Sequence, residues 1–467
     1  MILDFRNASL ASALTLSVGL LAPAAAAQAA SDEPKILSAS DCKSLNKKVR
    51  DWFEAWVSFR HEATSPKAKR SANSKMESAR ESFQKEWDAK SRKADPLASV
   101  ADLRAVFEGA FPYGRESSSG VLKQVKGSSS DPVYWMMVPR KYDEKTPYPT
   151  ALVMSGYDAA RGEWTAPKAH YDATWGGGGL VDSSLVLLPE LDAGMDFDPV
   201  PDFSKDGAED AETARLMTVL ASAGLFQQQF NVDRERLILD TGRGASGFAL
   251  RLATYFPHRF AGLVLRHPVD VTTELRLASI ATVPVLLISS PETKDACDAL
   301  VKAFAELGQN HCKVIEGKGA YPFSESQPEI EAWFAECRRP LTPLELTIEP
   351  NHEAFNDSFW VSLGKTEPVA GVPFEQRPRL AIKVDREANR IKVDSRGVSD
   401  FLMMLNDDIV DLDQEFTIEV NGTLYKEKRA RRMSFLVDTM QERFDPTWIF
   451  TTSFATTVPV AGDKSPK

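Results

Sequence analysis

Residues 236–248 read Arg-Leu-Ile-Leu-Asp-Thr-Gly-Arg-Gly-Ala-Ser-Gly-Phe, and this stretch decides the fold. Leu237-Ile238-Leu239 is an uninterrupted apolar run, which is typical of a strand buried on both faces of a sheet. Gly242 and Gly244 follow, and from Gly247 to Phe256 the apolar residues have helical spacing. The stretch therefore predicts a buried strand that turns sharply into a helix.

The same alternation of strand and helix continues on both sides of this stretch. Further apolar runs that predict strands lie at Gly120–Val125, Val133–Pro139, Thr150–Met154, Ser184–Leu188, Ala261–Leu265 and Val283–Ile288. Further helical patterns lie at Ala211–Gln228 and Ala296–Leu307. Continuous apolar strands that alternate with helices are typical of a mostly parallel sheet with helices on both faces. Residues 115–339 are therefore predicted to form an α/β domain.

The region before this domain, residues 30–114, is predicted to be helical. Apolar residues follow one helical stripe from Val49 to Phe59 and another from Met76 to Trp87. The polar stretch Ala63–Ser74 between them predicts a turn or a mobile loop.

The region after the α/β domain, residues 340–460, has the alternating pattern of antiparallel strands. Asn421-Gly422 is a strong signal for a two-residue hairpin turn. A helix is predicted near Met433 to Phe444, and a last strand from Trp448 to Val458. We predict a small β-sandwich-like domain here, within the usual size range of domains.

The first 29 residues predict a secretory signal peptide. An apolar stretch from Leu10 to Leu21 is followed by Ala27-Gln28-Ala29, a small-residue cleavage site. No later segment has the roughly 20 apolar residues of a spanning helix. We expect an exported protein, periplasmic or extracellular, with no membrane span after cleavage.

Composition narrows the range of partners. The chain has 467 residues, 43% of them hydrophobic, and its net charge of −10 argues against nucleic acid or anionic lipid as a partner. Export makes the four cysteines eligible for disulfides, with a pair among Cys297, Cys312 and Cys337 favoured over one with Cys42. No two cysteines have CxxC spacing, so we expect no zinc cluster, and we expect no cofactor.

Several stretches of residues 120–338 resemble the α/β-hydrolase family, particularly its exported esterase and peptidase-like branches. Trp135–Asp143 resembles the family's opening strand, and Leu152–Gly156 lies where the family reads His-Gly before the oxyanion loop. Phe230–Leu237 resembles the lead into the nucleophile strand, and Phe256–Gly262 the phrase after the nucleophile helix. The resemblance implies an α/β-hydrolase-like fold and a site for acyl or peptide hydrolysis.

The family's catalytic positions, carried over by this resemblance, fall on residues that do not form a triad. The elbow motif G-x-S-x-G places its serine on Gly244, which reaches strained backbone angles without a Cβ penalty. The acid position falls on Glu292, and the histidine position on Ala320 or Tyr321. Glutamate replaces aspartate in some triads, so Glu292 is chemically able to serve as the acid, and this position stays ambiguous while the nucleophile and base positions are empty.

Two other residues are weaker candidates for catalysis. Ser246 with His267 or His311 is a conceivable substitute set, although serine is also at home in the first turn of a helix. His267 follows a predicted strand near the carboxyl edge of the sheet, where both sites and structural histidines occur. The remaining histidines have no catalytic partner that the sequence identifies, and they are His61, His170, His258 and His352.

Backbone groups give two further expectations. The resemblance implies that the N–H groups of Ala245 and of Gly156 or Tyr157 form an oxyanion hole, which side-chain changes would leave in place. Separately, within the acidic loop Asp192–Asp210, residues 202–207 match the start of a calcium loop, and the candidate ligands are Asp202, Ser204 and Asp206. Position twelve of that loop is Thr213 and not glutamate, so a solvated acidic loop is favoured over a calcium site.

These observations leave three hypotheses for function. The first is an exported pseudoenzyme, catalytically inactive or impaired, that binds an unidentified small molecule or peptide. The second is an active serine acyl hydrolase, an esterase or peptidase, with an unconventional set such as Ser246, Glu292 and His267. The third is polysaccharide or protein binding by the C-terminal sandwich, with Trp360 and Trp448 as candidate contacts that are more typical of a core.

Overall fold

The computed structural model describes residues 35–116, 120–126, 131–158, 162–191, 197, 208–269, 276–350, 356–367 and 372–459. The predicted signal peptide, the calcium candidates Asp202, Ser204 and Asp206, and His352 lie outside the described residues. Within these ranges no helix is long and apolar enough to cross a membrane. The same ranges contain no group of three His, Cys, Asp or Glu side chains placed to hold a metal ion.

Three helices form the N-terminal region, and they are α1 (Ala39–Val57), α2 (Pro66–Lys90) and α3 (Val100–Phe107). The expected loop at Ala63–Ser74 is wrong for most of its length, because α2 begins at Pro66. Ser65 caps the helix by accepting a hydrogen bond from the Ala68 N–H at 3.1 Å, and proline suits the first helical position. The polar residues taken for a loop are the solvent-facing side of this helix.

The central domain contains a sheet of eight strands, which are β1 (Lys123–Val125), β2 (Tyr134–Met137), β3 (Tyr148–Met154), β6 (Leu185–Pro189), β7 (Val232–Thr241), β8 (Gly262–Arg266), β9 (Val285–Ser289) and β10 (Cys312–Glu316). Their order is β1-β2-β6-β3-β7-β8-β9-β10. Strand β2 is antiparallel to both of its neighbours. The next six strands in the sheet order, β6, β3 and β7 to β10, run parallel to one another. The predicted mostly parallel sheet is confirmed. A short hairpin of β4 (Tyr157–Asp158) and β5 (Glu163–Trp164) follows β3.

Helices cover both faces of this sheet, as the unbroken apolar strands require. They are α4 (Pro167–Thr174), α5 (Ala208–Gln229), α6 (Ser246–Tyr255), α7 (Lys294–Glu306) and α8 (Gln327–Glu336). Alternate residues of each strand face opposite cores: Leu239 belongs to the core under α5 to α7, and Ile238 to the core under α4 and α8.

The expected disulfide is absent, because all four cysteines are free thiols. Cys297 and Cys337 belong to cores on opposite faces of the large sheet, so they are not placed to pair. Burial raises the pKa of Cys312 to about 12 and that of Cys337 to about 12, so these thiols are uncharged at neutral pH.

The C-terminal region contains two further sheets. One has the order β11-β14-β15-β17-β18, with strands β11 (Glu345–Ile348), β14 (Arg379–Asp385), β15 (Arg390–Arg396), β17 (Phe416–Val420) and β18 (Thr423–Glu427). The other has the order β12-β13-β16-β19, with strands β12 (Asp357–Ser358), β13 (Val361–Leu363), β16 (Asp400–Leu405) and β19 (Thr452–Thr457). Helix α9 (Met433–Arg443) precedes the last strand. The sandwich-like prediction is confirmed.

Two details of this region bear on the earlier expectations. Asn421 and Gly422 both have positive φ angles (47° and 85°) and join β17 to β18, as predicted for a two-residue hairpin turn. The last strand begins at Thr452 and not at Trp448. Trp360 is fully buried and Trp448 is 3% exposed, so neither tryptophan supports a ligand-binding surface on the sandwich. The N-terminal helices and the C-terminal sheets share one hydrophobic core.

Candidate active-site edge of the sheet

The turn between β7 and α6 has the geometry of a nucleophile elbow. Strand β7 ends at Thr241, α6 begins at Ser246, and the turn between them is closed by a hydrogen bond from the Ala245 N–H to the Gly242 carbonyl at 3.1 Å. Gly244 has a φ of +84°, a left-handed backbone conformation that costs a residue with a Cβ about 1–2 kcal/mol. Position 244, where the resemblance places the nucleophile, therefore has the backbone angles of an elbow but carries no side chain.

The space above Gly244 is filled. A Cβ built on Gly244 would lie 3.3 Å from Cη2 of Trp164 and 3.4 Å from Cβ of Tyr157. Both side chains come from the hairpin of β4 and β5, so this hairpin covers the elbow. A nucleophilic side chain at this position would have to displace the Trp164 ring.

Of the three predicted oxyanion donors, the N–H groups of Tyr157 and Ala245 are engaged within the protein. The Tyr157 N–H donates to the Arg243 carbonyl at 2.7 Å, and the Ala245 N–H donates to the Gly242 carbonyl that closes the elbow. Gly156 packs against the elbow, since a Cβ on Gly242 would lie 2.5 Å from the Gly156 Cα. An oxyanion hole requires donors aimed at the developing charge, and here both N–H groups already have acceptors.

Tyr321 takes the place of the family histidine and binds the elbow. Its hydroxyl accepts a hydrogen bond from the Arg243 N–H at 2.7 Å. Burial raises the pKa of Tyr321 to about 12, so the phenol remains protonated. Of the two alternatives for the histidine position, Ala320 and Tyr321, it is Tyr321 whose side chain reaches the elbow. The Tyr321 side chain therefore helps to hold the turn together.

Glu292 lies at the same edge. Its Oε2 is 3.9 Å from Nη2 of Arg243 and 3.5 Å from Nε2 of His267, and its side chain is 72% exposed. The three family positions, Gly244, Glu292 and Tyr321, therefore lie together around Arg243, in the chain order in which hydrolases of this fold carry serine, acid and histidine. The chain has the α/β-hydrolase fold.

Neither a family profile nor a curated relative matches the sequence. Among solved structures, the hydrolase-fold region is similar to a thermostable esterase, with 17% identity and a TM-score of 0.37 over 47% of this chain and 63% of that chain. It is also similar to an S-formylglutathione hydrolase from Agrobacterium tumefaciens, with 14% identity and a TM-score of 0.34 over 46% of this chain and 94% of that chain. At these identities the likeness concerns the fold alone.

The structure does not bring Ser246 to a histidine. Ser246 is fully buried, and its Oγ has no hydrogen-bond partner among the described residues. It also makes no capping hydrogen bond, since Ala245 occupies the capping position. His311 precedes β10 at the amino edge of the parallel strands, whereas Ser246 follows β7 at the carboxyl edge. The substitute sets considered for Ser246 therefore do not assemble.

His267 has a partner that sequence analysis missed. Its Nδ1 lies 3.1 Å from Oγ of Ser290, in addition to the approach of Glu292 to Nε2. The residue has a φ of +54°, an unusual value for a residue with a Cβ, and its ring is almost fully buried. Burial lowers the pKa of His267, Arg243 lowers it further, and Glu292 acts against both. Ser290 follows β9 as His267 follows β8, so only the order of the strands brings the two together.

A buried ion pair that was not predicted lies beneath the elbow. Asp240 of β7 and Arg266 of β8 are both inaccessible to solvent, and Arg266 donates from Nε (2.9 Å) and Nη2 (2.7 Å) to the two carboxylate oxygens. Trp175 Nε1 donates to the same carboxylate at 2.7 Å. Arg266 also donates to the Pro322 carbonyl at 3.1 Å and to Gln327 at 2.8 Å, which fixes the loop that carries Tyr321.

Proposed function

We propose that this protein is an exported, non-catalytic α/β-hydrolase-fold protein that acts by binding. The observation that carries the proposal is Gly244, which stands at the nucleophile position with left-handed backbone angles beneath the Trp164 ring. Hydrolysis by a serine enzyme of this fold begins with attack by a side chain at this position. Gly244 has none to offer.

The hydrogen bonds around the elbow support the same proposal. A hydrolase of this fold keeps two backbone N–H groups free for the tetrahedral intermediate. Here the N–H groups of Tyr157 and Ala245 donate to backbone carbonyls, and the Arg243 N–H donates to the Tyr321 hydroxyl. The elbow is thus closed by internal hydrogen bonds that use the N–H groups of Tyr157, Ala245 and Arg243.

Binding would use the side chains that remain accessible at this edge. The Arg243 side chain is 31% exposed and the Glu292 side chain 72% exposed, so a cationic and an anionic group face solvent side by side. Such a pair suits a small molecule or peptide that carries charges of both signs. The proposal of export rests on the signal-peptide pattern of residues 1–29, and fractionation of expressing cells tests it.

Hydrolysis of p-nitrophenyl acetate and butyrate by the mature protein tests the absence of catalysis. We expect rates equal to buffer for the parent, for Ser246→Ala and for Ser290→Ala. Turnover by the parent that either alanine variant abolishes would overturn the proposal. The matched serine variants also distinguish a contaminating esterase, whose activity neither change would affect.

One observation favours a second candidate, an acyl hydrolase that uses Ser290. The Ser290 hydroxyl, the His267 imidazole and the Glu292 carboxylate follow one another at 3.1 Å and 3.5 Å, and hydrogen bonds in a resting site are often longer than in the reacting complex. In this candidate Ser290 Oγ attacks the acyl carbon while its proton passes to His267 Nδ1. The alkoxide then leaves with that proton, and water hydrolyses the acyl-serine.

The same assay separates the two candidates. A Ser290 hydrolase loses its turnover in Ser290→Ala and keeps it in Ser246→Ala, because Ser246 is buried and without a hydrogen-bond partner among the described residues. A non-catalytic protein shows no difference among the three proteins.

A further inference from the structure

Four arginines meet at the edge of the large sheet opposite to the elbow. Arg234 lies near the start of β7, Arg259 precedes β8, Arg339 follows α8, and Arg443 is the last residue of α9. We call these four residues the arginine cluster. Hydrogen bonds to Phe444, Asp445 and His258 place Arg234, Arg339 and Arg443 at the end of α9. Arg259 directly follows His258 in the chain.

Two members of the cluster are held by hydrogen bonds within the protein. Arg234 donates to the Gln227 side chain and, at 2.9 Å, to the Phe444 carbonyl that follows α9. Arg339 donates to the His258 carbonyl at 2.6 Å and to Asp445 at 3.2 Å. Both arginines are more than nine-tenths buried. Their positions are therefore fixed.

The third member, Arg443, lies nearer the surface. It donates to Asp357 at 2.8 Å and approaches Nε2 of His258 at 3.4 Å, and its guanidinium lies 4.3 Å from the centre of the Trp448 ring. Burial and the guanidiniums of the cluster hold the pKa of His258 well below its usual range. His258 is therefore a neutral member of this site and adds no positive charge at neutral pH.

Arg259 differs from the other three. Within the described part of the chain its guanidinium makes neither a hydrogen bond nor an ion pair, and it lies over the Phe256 ring, 5.3 Å from the ring centre. The residue is half-buried, so it is accessible from solvent. Burial and the neighbouring arginines lower the pKa of Arg259 to about 10, which leaves it charged at neutral pH.

Among the described residues, three carboxylates lie near the four guanidiniums of the cluster. Asp445 is the buried carboxylate of the site, and the Asp357 side chain is 44% exposed. Glu235 is also near but lies 3.7 Å from a further arginine, Arg104. The carboxyl end of α9 contributes about half a negative charge. Partly buried cations that lack a counter-charge are costly, so such a site attracts an anion.

We propose that Arg259 and Arg443 bind a small oxyanion, a phosphate or carboxylate group, at this edge. Arg443 contributes a guanidinium already oriented by Asp357 and Trp448, and Arg259 contributes one whose donors are unused among the described residues. The guanidinium fork matches the oxygens of either group. The site lies at the opposite ends of the strands from the elbow, so it is independent of the proposed function.

Thermal unfolding of the mature protein in low-salt buffer tests this proposal, with inorganic phosphate, sodium acetate and potassium chloride compared at equal ionic strength. We expect phosphate or acetate to raise the Tm by about 2–4 °C at concentrations well above the Kd, and chloride to have less effect. A rise with phosphate alone assigns a phosphate site, and a rise with acetate alone a carboxylate site. Equal Tm values in all three salts would overturn the proposal.

Arg259→Gln is the decisive variant, and Arg70→Gln, which changes an exposed arginine of α2, is its matched control. Removing a cation without a counter-charge relieves repulsion among the arginines. Arg259→Gln is therefore expected to leave the Tm in potassium chloride unchanged or raised, and to abolish the rise in Tm that the oxyanion causes. Arg70→Gln is expected to keep that rise. An Arg259→Gln protein with its Tm lowered equally in every buffer would show a packing role instead.

Discussion

The two ends of strand β8 each carry an arginine, and the two side chains have opposite surroundings. Arg266, at the carboxyl end, is fully buried, and Asp240, Gln327 and the Pro322 carbonyl accept its hydrogen bonds. Arg259, just before the amino end, is half-buried and has no hydrogen bond or ion pair within the described ranges. Residues of the chain accept the hydrogen bonds of Arg266, whereas the proposed oxyanion would accept those of Arg259.

The comparison shows how the elbow edge differs from a candidate ligand site. At the elbow, Tyr321 and the β4–β5 hairpin occupy the positions that a substrate would need, and the ion pair of Asp240 and Arg266 holds the Tyr321 loop. Most buried polar groups in proteins have a hydrogen-bond partner. The guanidinium of Arg259 at the other edge, which has no hydrogen-bond partner among the described residues, is therefore a stronger indication of a ligand site than the resemblance at the elbow.

The largest expected effect comes from breaking the balanced end of β8. Asp240→Asn removes the carboxylate that neutralises Arg266 and leaves a buried guanidinium unpaired. We expect a loss of about 3–5 kcal/mol in the free energy of unfolding, measured by urea denaturation with circular dichroism. Asp172→Asn is the control, because its pair with Lys168 is exposed and should contribute less than about 1 kcal/mol. A value for Asp240→Asn close to the control would contradict the role of the buried pair.

The second prediction concerns how the free energy of unfolding depends on pH through His170. His170 is buried beside this pair, and burial and Arg266 lower its pKa to about 4 while Asp240 acts against them. The unfolded chain binds a proton on His170 near pH 6.5, and the folded chain only near pH 4. Stability is therefore unaffected by this group above pH 6.5 and falls as the pH drops toward 4, by about 3 kcal/mol in total.

His170→Gln isolates this contribution. We expect its free energy of unfolding to change less between pH 7 and pH 4.5 than that of the parent, whose other groups titrate equally in both proteins. Urea titrations at several pH values measure the two slopes. Equal slopes would show that His170 is not held neutral in the folded protein.

The sequence was sufficient for the elements whose pattern is local. The apolar run at Leu237–Leu239, the glycine-rich elbow and the Asn421-Gly422 turn all appear where the residues predict them. The N-terminal part of α2, up to Ser74, was missed because a helical segment that exposes most of its surface has the composition of a loop.

The site contacts could not be predicted because they depend on strand order. Asp240 pairs with Arg266, and His267 approaches Ser290, only because β7, β8 and β9 are adjacent in the sheet. A charged residue at the end of each of two apolar strands, Asp240 and Arg266, was a visible signal of the buried pair. The sequence gives no signal that Arg259 is without a hydrogen-bond or ion-pair partner among the described residues, because this depends on which side chains the fold places beside it.

The smallest expected effect concerns the elbow, and it tests whether glycine at position 244 is enough to account for the proposed absence of catalysis. Gly244→Ser and Gly244→Ala both place a Cβ at a φ of +84° and 3.3 Å from Trp164, so each should cost about 1–2 kcal/mol of stability. We expect neither variant to hydrolyse p-nitrophenyl esters, because Tyr321 replaces the base and the Tyr157 and Ala245 N–H groups are engaged. Alanine controls for the strain without the hydroxyl. Turnover by the serine variant above that of the alanine variant would mean that the rest of the machinery survives and that Gly244 alone silences this edge.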